Sequence, residues 1–481
     1  MRVGTATGYL LGASAIAMLV SGCASMAPEY VRPDAPVPAS YETVMATGVS
    51  ADTGQSLYWR EFFTDPVLQQ LITAALDNNR DLRKALLQVE EARAAYGIQR
   101  SERLPDIQVG GQGSRARMPA DLSPSGRSMV GSEYRAEVGL ASWELDLWGR
   151  VRSLEQSALE SWLATDAASQ AVKTMLIGEV ANAYLVLREL DQRVAVTRET
   201  VASRERSYQI FQRRYAVGAT ARLEVTQVQT LLTQAQAMLA QLELQHAAQR
   251  NALRLLVGED AMPLLRQAEL RMPGLASVQP GLPSDLLTRR PDIVAAEHRL
   301  RAANANIGAA RAAYLPRIAL TGSFGTASAE LDNLFKSGSK AWAFMPTISL
   351  PIFDGGRRRA SLELSQVRRD MAVNDYEQSI QNAFRDVADA LAANHWLGEQ
   401  YEVQKVARDA QAERARLAQL RYDNGSAAYL EVLDAQRDLL DAEQQLIGTR
   451  RAVLSSKVSL YSALGGGYAQ PAAPSTPSSS E

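Results

Sequence analysis

The feature that most constrains this chain is that it contains itself twice. Arg214-Tyr215-Ala216-Val217-Gly218 recurs as Arg421-Tyr422-Asp423-Asn424-Gly425. Leu223-Glu224-Val225 recurs at the same offset as Leu430-Glu431-Val432. Ser142 to Arg150 (SWELDLWGR) aligns with Ser349 to Arg357 (SLPIFDGGR), again at that offset. Upstream, Leu104-Pro105 matches Leu315-Pro316 and Asp81 matches Asp292, at an offset changed by a small insertion near residues 115–130. A period this long is a duplication and not a solenoid array. Two copies of one unit are therefore expected, over 64–262 and 284–464.

Each unit opens on a helical segment, Leu68 to Glu102 or Leu286 to Tyr314, stopped by Pro105 or Pro316. Proline lacks the backbone donor and clashes with the preceding turn, so a helix ends there. The pattern then alternates. Ile107, Val109, Gly111 and Gly113 share one face in the first copy, and Ile318, Leu320, Gly322 and Phe324 share it in the second. After a polar loop a second alternating run follows, with Tyr134, Ala136, Val138 and Leu140, or Trp342, Phe344, Pro346, Ile348 and Leu350. Alternation over about ten residues with aromatics near the ends is the signature of membrane β-strands. One hairpin per unit is expected, at about 105–145 and 316–352. Four strands cannot close a barrel, and open edges are not tolerated in lipid. Other chains must complete the sheet, although this argument leaves their number open.

The hairpins leave through Gly149 and Gly355-Gly356 into proline-free stretches, Arg150 to Val217 and Arg357 to Asn424. A continuous helix of that size is roughly 100 Å long, more than a globular domain needs. Turns follow at Gly218 and Gly425, where glycine suits a left-handed cap. Return helices run from Leu223 to Val257 and from Leu430 to Leu464. They carry heptad stripes: Val225, Leu232 and Leu239 in the first, and Val432, Leu439, Leu446, Val453 and Leu460 in the second. Leu433, Leu440, Ile447 and Leu454 form another stripe beside it. Such stripes make coiled-coil seams, and two adjacent stripes give each helix two neighbours, as a closed ring requires.

The N-terminus supplies the address. Arg2 precedes an apolar run from Tyr9 to Val20, then Val20-Ser21-Gly22-Cys23. This reads as a secretory signal peptide over 1–22, too short for a membrane span. The single cysteine of the chain stands where the bacterial lipobox places the lipidated residue, and Ala24 follows it. Cys23 is the expected lipid attachment point, and the covalent lipid is the only prosthetic group expected. No later segment has about 18 uninterrupted apolar residues, so any crossing of a bilayer must use strands.

Net charge is only −2 and the charges are dispersed, which argues against a nucleic-acid partner. One cysteine excludes a CxxC metal or redox motif. His246, His298 and His395 lie far apart, and none has a His-x-x-x-His partner. No catalytic residue and no metal site is expected. The Pro-rich 23–63 and 263–283 read as linkers, and 465–481, opening on Gly465-Gly466-Gly467, as a flexible tail.

Arg289-Arg290-Pro291-Asp292-Ile293, the run Ala302-Ala303-Asn304-Ala305-Asn306-Ile307-Gly308, Tyr314-Leu315-Pro316, Leu433-Asp434-Ala435-Gln436-Arg437 and the lipobox occur together in this chain. This set resembles the lipoprotein branch of the TolC-like outer-membrane efflux proteins, over nearly all of the mature chain. The resemblance implies a mainly α fold with a membrane β-barrel part. Three chains would close a twelve-stranded barrel in the outer membrane, above a periplasmic coiled-coil tunnel of helices. A mixed equatorial belt would take the linkers and the C-terminal tail. It also implies a homotrimer, with a periplasmic adaptor docked at the turns Gly218 and Gly425 and an inner-membrane pump beyond. The chain would be the passive exit duct for small molecules such as drugs.

The family closes its tunnel at the tip with acidic rings and tyrosine–arginine links. Carried over from the glycine turns, the acidic positions are Glu224, Glu431 and Asp434, and the tyrosine is Tyr422. Ala427 stands where the family has an arginine, which leaves Arg222, Arg421 or Arg437 to supply the links. Three copies of each carboxylate on one axis would favour cations. Two other readings remain: a duct for type I protein secretion, and a structural coiled-coil periplasmic lipoprotein.

Overall fold

The computed structural model describes residues 25–38, 57–259, 261–266, 271–278 and 285–467. The signal segment 1–22 and Cys23 lie outside the described residues, as do parts of the two linkers, 39–56, 267–270 and 279–283, and 468–481. Helices α1 (Trp59–Phe62), α2 (Pro66–Asn78) and α3 (Arg80–Ser101) lead to strands β1 (Ile107–Met118) and β2 (Met129–Glu144). Helices α4 (Arg150–Ala216) and α5 (Arg222–Val257) complete the first copy. The second copy repeats the order with α6 (Leu286–Arg289), α7 (Pro291–Ala312), β3 (Arg317–Ser328), β4 (Lys340–Ser349), α8 (Arg357–Asp423) and α9 (Tyr429–Ala463). Both α4 and α8 are 67 residues long and unbroken.

The opening helix of each copy, expected as one piece, is broken instead. In the first copy Asn79 interrupts it. Its side-chain Oδ1 accepts from the backbone N–H of Asp81 and of Leu82, both at 3.0 Å, and so caps α3. An asparagine cap satisfies donors that a helix start leaves without partners. The matching position in the second copy is Arg290, followed by Pro291 as the first residue of α7, where a missing N–H costs nothing. The Arg290 guanidinium bonds Asp292 at 2.6 Å, Asp386 at 3.3 Å and the Ala463 carbonyl at 3.2 Å.

The chain divides into two compact units. One takes its described residues from Met1–Pro33, Gln88–Thr165 and Ala296–Tyr376. It holds a four-stranded antiparallel sheet in the order β1-β2-β3-β4. Ile107 faces Leu140, Val138 faces both Val109 and Phe324, and Phe324 faces Trp342. The alternating apolar residues of all four strands thus gather on one face. That face is bare: Val109 is 83% exposed, Phe324 65% and Trp342 75%. The opposite face carries Gln108, Gln112, Arg135, Glu137, Ser323 and Thr347. An apolar outer face backed by a polar inner one suits a strand set between lipid and a water-filled lumen.

In the same unit the segment around Tyr30 lies along α7. The Glu297 carboxylate accepts from Tyr30 at 3.1 Å, from Arg32 at 2.8 Å and from Arg301 at 2.6 Å. Burial pushes this carboxyl up, but the Arg301 and Arg32 guanidiniums outweigh it and hold it below the usual carboxylate range. Burial pushes the neighbouring Tyr376 hydroxyl up to about 12.

The other unit takes its described residues from Asp34–Leu87, Asp166–Ala295 and Glu377–Glu481. Its core joins Phe62, Phe63, Leu68, Leu71 and Ile72 to Ile177, Val180, Tyr184, Leu253 and Val458. Phe62 stacks on Tyr461 with ring centroids 4.4 Å apart. The heptad positions Val432, Leu433, Leu440 and Leu460 of α9 are buried, as is Leu232 of α5. The expectation of a flexible tail from residue 465 is corrected at its start. Gly465, Gly466 and Gly467 form a packed turn with φ of 98°, 61° and 79°. A side chain at any of them would collide with the Arg289 carbonyl, Thr174 or the Leu57 carbonyl respectively.

Two outcomes follow. Asn79→Ala removes a buried helix cap and is expected to cost about 1–2 kcal/mol, read as a lower thermal midpoint of the detergent-solubilised protein. Glu297, held low, stabilises the fold above the ordinary glutamate value of about 4.3, and this contribution drains as pH falls through the lower folded value. Glu297→Gln is therefore expected to lower the midpoint at neutral pH and to flatten its fall below about pH 4.

Candidate functional site

The candidate residues gather where the long helices turn, within the second unit. Helix α4 stops at Ala216, and Gly218 takes a φ of 72°. The Ala219 N–H reaches back to the Arg214 carbonyl at 2.8 Å. Helix α8 ends in the same way, with Gly425 at φ 73° and the Ser426 N–H on the Arg421 carbonyl at 2.8 Å. A left-handed residue after the last turn lets the final carbonyls find donors, and only glycine does so without strain.

Equivalent acids at the two turns take different partners. Glu431 pairs with Arg421 at 2.7 Å, tying α9 back to α8. Glu224 instead accepts from the Thr220 hydroxyl within its own turn. Ala427 fills the Thr220 position in the second copy, so no hydroxyl competes there. Asp434 pairs at 3.2 Å with Arg437, one turn along the same helix, and so ties no two helices together. Arg437 also reaches Asp438 at 3.1 Å, and Asp438 meets Arg414 of α8 at 2.7 Å. The Arg414 hydrogen bond, helped by Arg437, holds the Asp438 carboxyl below the usual range. Glu431 and Asp434 are themselves about half exposed, with side chains 48% and 41% open.

Tyr422 receives a hydrogen bond on its hydroxyl from Arg214 of the other copy. The Arg214 guanidinium also lies over the rings of Phe211 and Tyr422, at 5.5 Å and 6.0 Å. The Tyr422 ring packs 4.8 Å from Tyr429, which in turn packs 4.5 Å from Phe211. Tyr429 donates to the Ser207 hydroxyl at 2.9 Å, and burial pushes its phenol up. Val228, Val432 and Leu433 close this small core. Arg421 and Arg437, two of the three candidate arginines, thus hold acids. Arg214, Phe211 and Tyr429 belong to this cluster, although the sequence reading did not single them out as site residues. The signal was present, since Arg214-Tyr215 is the duplicate of Arg421-Tyr422.

The arrangement can latch helix ends together; it offers no nucleophile with a base. The histidines meet single carboxylates in separate places: His246 with Asp191 at 2.9 Å, His298 with Glu160 at 2.6 Å, and His395 with Glu399 at 3.3 Å. Among the described residues no three metal-ligating side chains come together, and no helix is long and apolar enough to cross a membrane.

Comparison with known proteins matches this geometry to a family. The family model for outer membrane efflux proteins matches residues 71–259 and 282–466, one span for each copy. The chain is 46% identical to outer membrane protein OprJ of Pseudomonas aeruginosa, over 95% of this chain and 96% of that protein. It is 46% identical to the solvent efflux pump outer membrane protein SrpC of Pseudomonas putida, over 94% and 97%. A solved membrane protein from Pseudomonas aeruginosa superposes with a TM-score of 0.88 at 45% identity, covering 92% of this chain and 98% of that one. The open-state MtrE outer membrane channel of Neisseria gonorrhoeae superposes at 0.81 with 36% identity, covering 92% and 98%. With its duplicated helices, its lipid-suited sheet and these matches over nearly its whole length, the chain belongs to the outer membrane efflux protein family.

Proposed function

We propose that three copies of this chain form the outer-membrane exit duct of an efflux assembly, latched at its periplasmic tip by the turn residues. The observation that carries the duct is the sheet, whose outer face is apolar and bare and whose edge strands β1 and β4 have no further strand beside them among the described residues. In lipid such edges must be covered, and further copies of the same sheet cover them. Three copies supply twelve strands, a number that leaves room for a lumen. Cys23 carries the lipid that adds a second hold on the membrane.

The tip works as a set of weak links. Arg421–Glu431 and Arg214–Tyr422 tie neighbouring helix ends, while Asp434, paired only with Arg437 of its own helix, leaves its carboxylate half exposed for a ring around the axis. An exposed ion pair contributes about 0.2–1 kcal/mol. A trimer carries each pair three times, so losing one pair per chain shifts the closed–open balance by about 0.6–3 kcal/mol, roughly 3- to 150-fold. A periplasmic adaptor docking at the Gly218 and Gly425 turns, with an inner-membrane pump behind it, supplies energy of that size. The cargo is small organic molecules, in keeping with the solvent efflux named for one relative. A wide duct needs no tailored pocket for them.

Single-channel conductance in planar bilayers tests this reading. Glu431→Ser/Asp434→Ser is expected to conduct several-fold more than the parent and to lose cation preference, because both a latch and a negative ring are gone. Arg214→Ala is expected to raise the open fraction while leaving cation preference intact. Equal conductance in parent and both variants would keep the duct and remove these residues from the latch. No conductance from inserted oligomers would remove the duct itself.

A further inference from the structure

We propose the register in which two copies of this chain meet: β4 of one pairs antiparallel with β1 of the next, with Ile348 opposite Gly111, Thr347 opposite Gln112, Pro346 opposite Gly113 and Ala343 opposite Ala116. This rests on the reading of a multi-chain barrel above and specifies the surface that closes it. The duplication supplies the register. Within the chain, the junction between copies is the β2–β3 pairing, with Leu140 opposite Gly322 and Val138 opposite Phe324. If a barrel is built from repeats of one unit, the junction between chains repeats the junction within the chain.

The match of Leu104-Pro105 with Leu315-Pro316 aligns β1 with β3, and the hairpin pairings carry that alignment across to β2 and β4. Ile107 pairs with Leu140 in the first hairpin, and Ile318 with Ile348 in the second. Val109 pairs with Val138, and Leu320 with Pro346. Leu140 therefore corresponds to Ile348 and Val138 to Pro346, while Ile107 and Val109 correspond to Ile318 and Leu320. Continuing along the strands, Gly322 corresponds to Gly111 and Phe324 to Gly113. The bulge between Leu140 and Trp143 is the one irregularity in β2, and it accounts for the extra residue there.

Three features of the transposed pairing agree with it. Apolar-face residues meet apolar-face residues along the seam, which a one-residue slip would reverse. Phe344 and Trp342 fall beside Arg115 and Arg117, within reach for cations over aromatic rings near the outer rim. The small residues Gly111 and Gly113 receive Ile348 and Pro346, which need the room.

The two seams differ in one respect. Inside the chain the β2–β3 junction is riveted at its inner end: Glu144 holds Arg317 at 2.7 Å and Arg150 at 2.8 Å, and Trp148 donates to the Pro316 carbonyl at 2.7 Å. At the seam between chains the corresponding residues are Pro351, Asp106, Arg357 and Gly355. The Glu144 and Trp148 bonds have no counterpart there, so backbone pairing, apolar packing and the arginine–aromatic contacts near the rim carry more of the seam.

Disulfide trapping in outer membranes tests the register. In one chain β1 and β4 are three strand spacings apart, about 14 Å, beyond the reach of a disulfide. Gln112→Cys/Thr347→Cys and the nearly isosteric Ala116→Cys/Ala343→Cys are each expected to give a reducible, heat-resistant covalent trimer on mild oxidation. Gln112→Cys/Met345→Cys, which matches a two-residue slip, is expected to give little. Trapping by the slipped pair in place of the other two overturns the register. No trapping by any pair, in samples that migrate as trimers before heating, overturns the meeting of β4 with β1. Absence of a trimer in the parent protein as well would overturn the barrel reading on which the proposal rests.

Discussion

A peptide group in hydrocarbon has no water to fall back on, and almost everything in this chain answers to that fact. Each unmatched N–H or C=O there costs several kcal/mol, so a four-stranded sheet with a bare apolar face is not a finished object. Its edges make it a fraction of a barrel. The helices face the opposite problem. They satisfy their own backbones, and their buried heptad positions on α9 and α5 pack through side chains alone.

Duplication solves part of the problem and leaves a trace. One chain provides two hairpins whose junction is already made, with Glu144, Arg317, Arg150 and Trp148 fastening it. The same divergence shows at the helix turns. The acid is retained in both copies, as Glu224 and Glu431, but Thr220 holds one and Arg421 the other. The copies have kept the backbone plan and changed the side-chain links, so the two repeats share a frame and differ in their chemistry.

What could be read from the sequence was whatever acts locally through the backbone. Pro105 and Pro316 stop helices whatever lies beside them, Gly218 and Gly425 turn the chain, and period-two alternation marks a strand. The break at Asn79 was hidden because an asparagine within an apolar period gives no sign that its side chain will cap the next helix. Pro291 could have signalled the matching break, since proline favours the first helical position. Gly465–Gly467 looked loose beside a Pro- and Ser-rich tail, yet Arg289, Thr174 and Leu57 crowd them. At the tip, acids and arginines were visible as candidates, but their pairing was not. Arg214 with Tyr422 depends on which helix lies next to which, and that information is not carried by periodicity.

The fastened seam and the plain one also differ in how they are made. The seam inside a chain closes within one molecule, at an effective concentration set by the connecting segments and independent of how much protein is present. The seam between chains has no tether and closes only when separate chains meet. Barrel yield therefore depends on protomer density, while hairpin joining does not. At low expression the accumulating species is the single chain with two exposed strand edges, the form that invites wrong pairing, so the dose of the protein governs its quality as well as its amount.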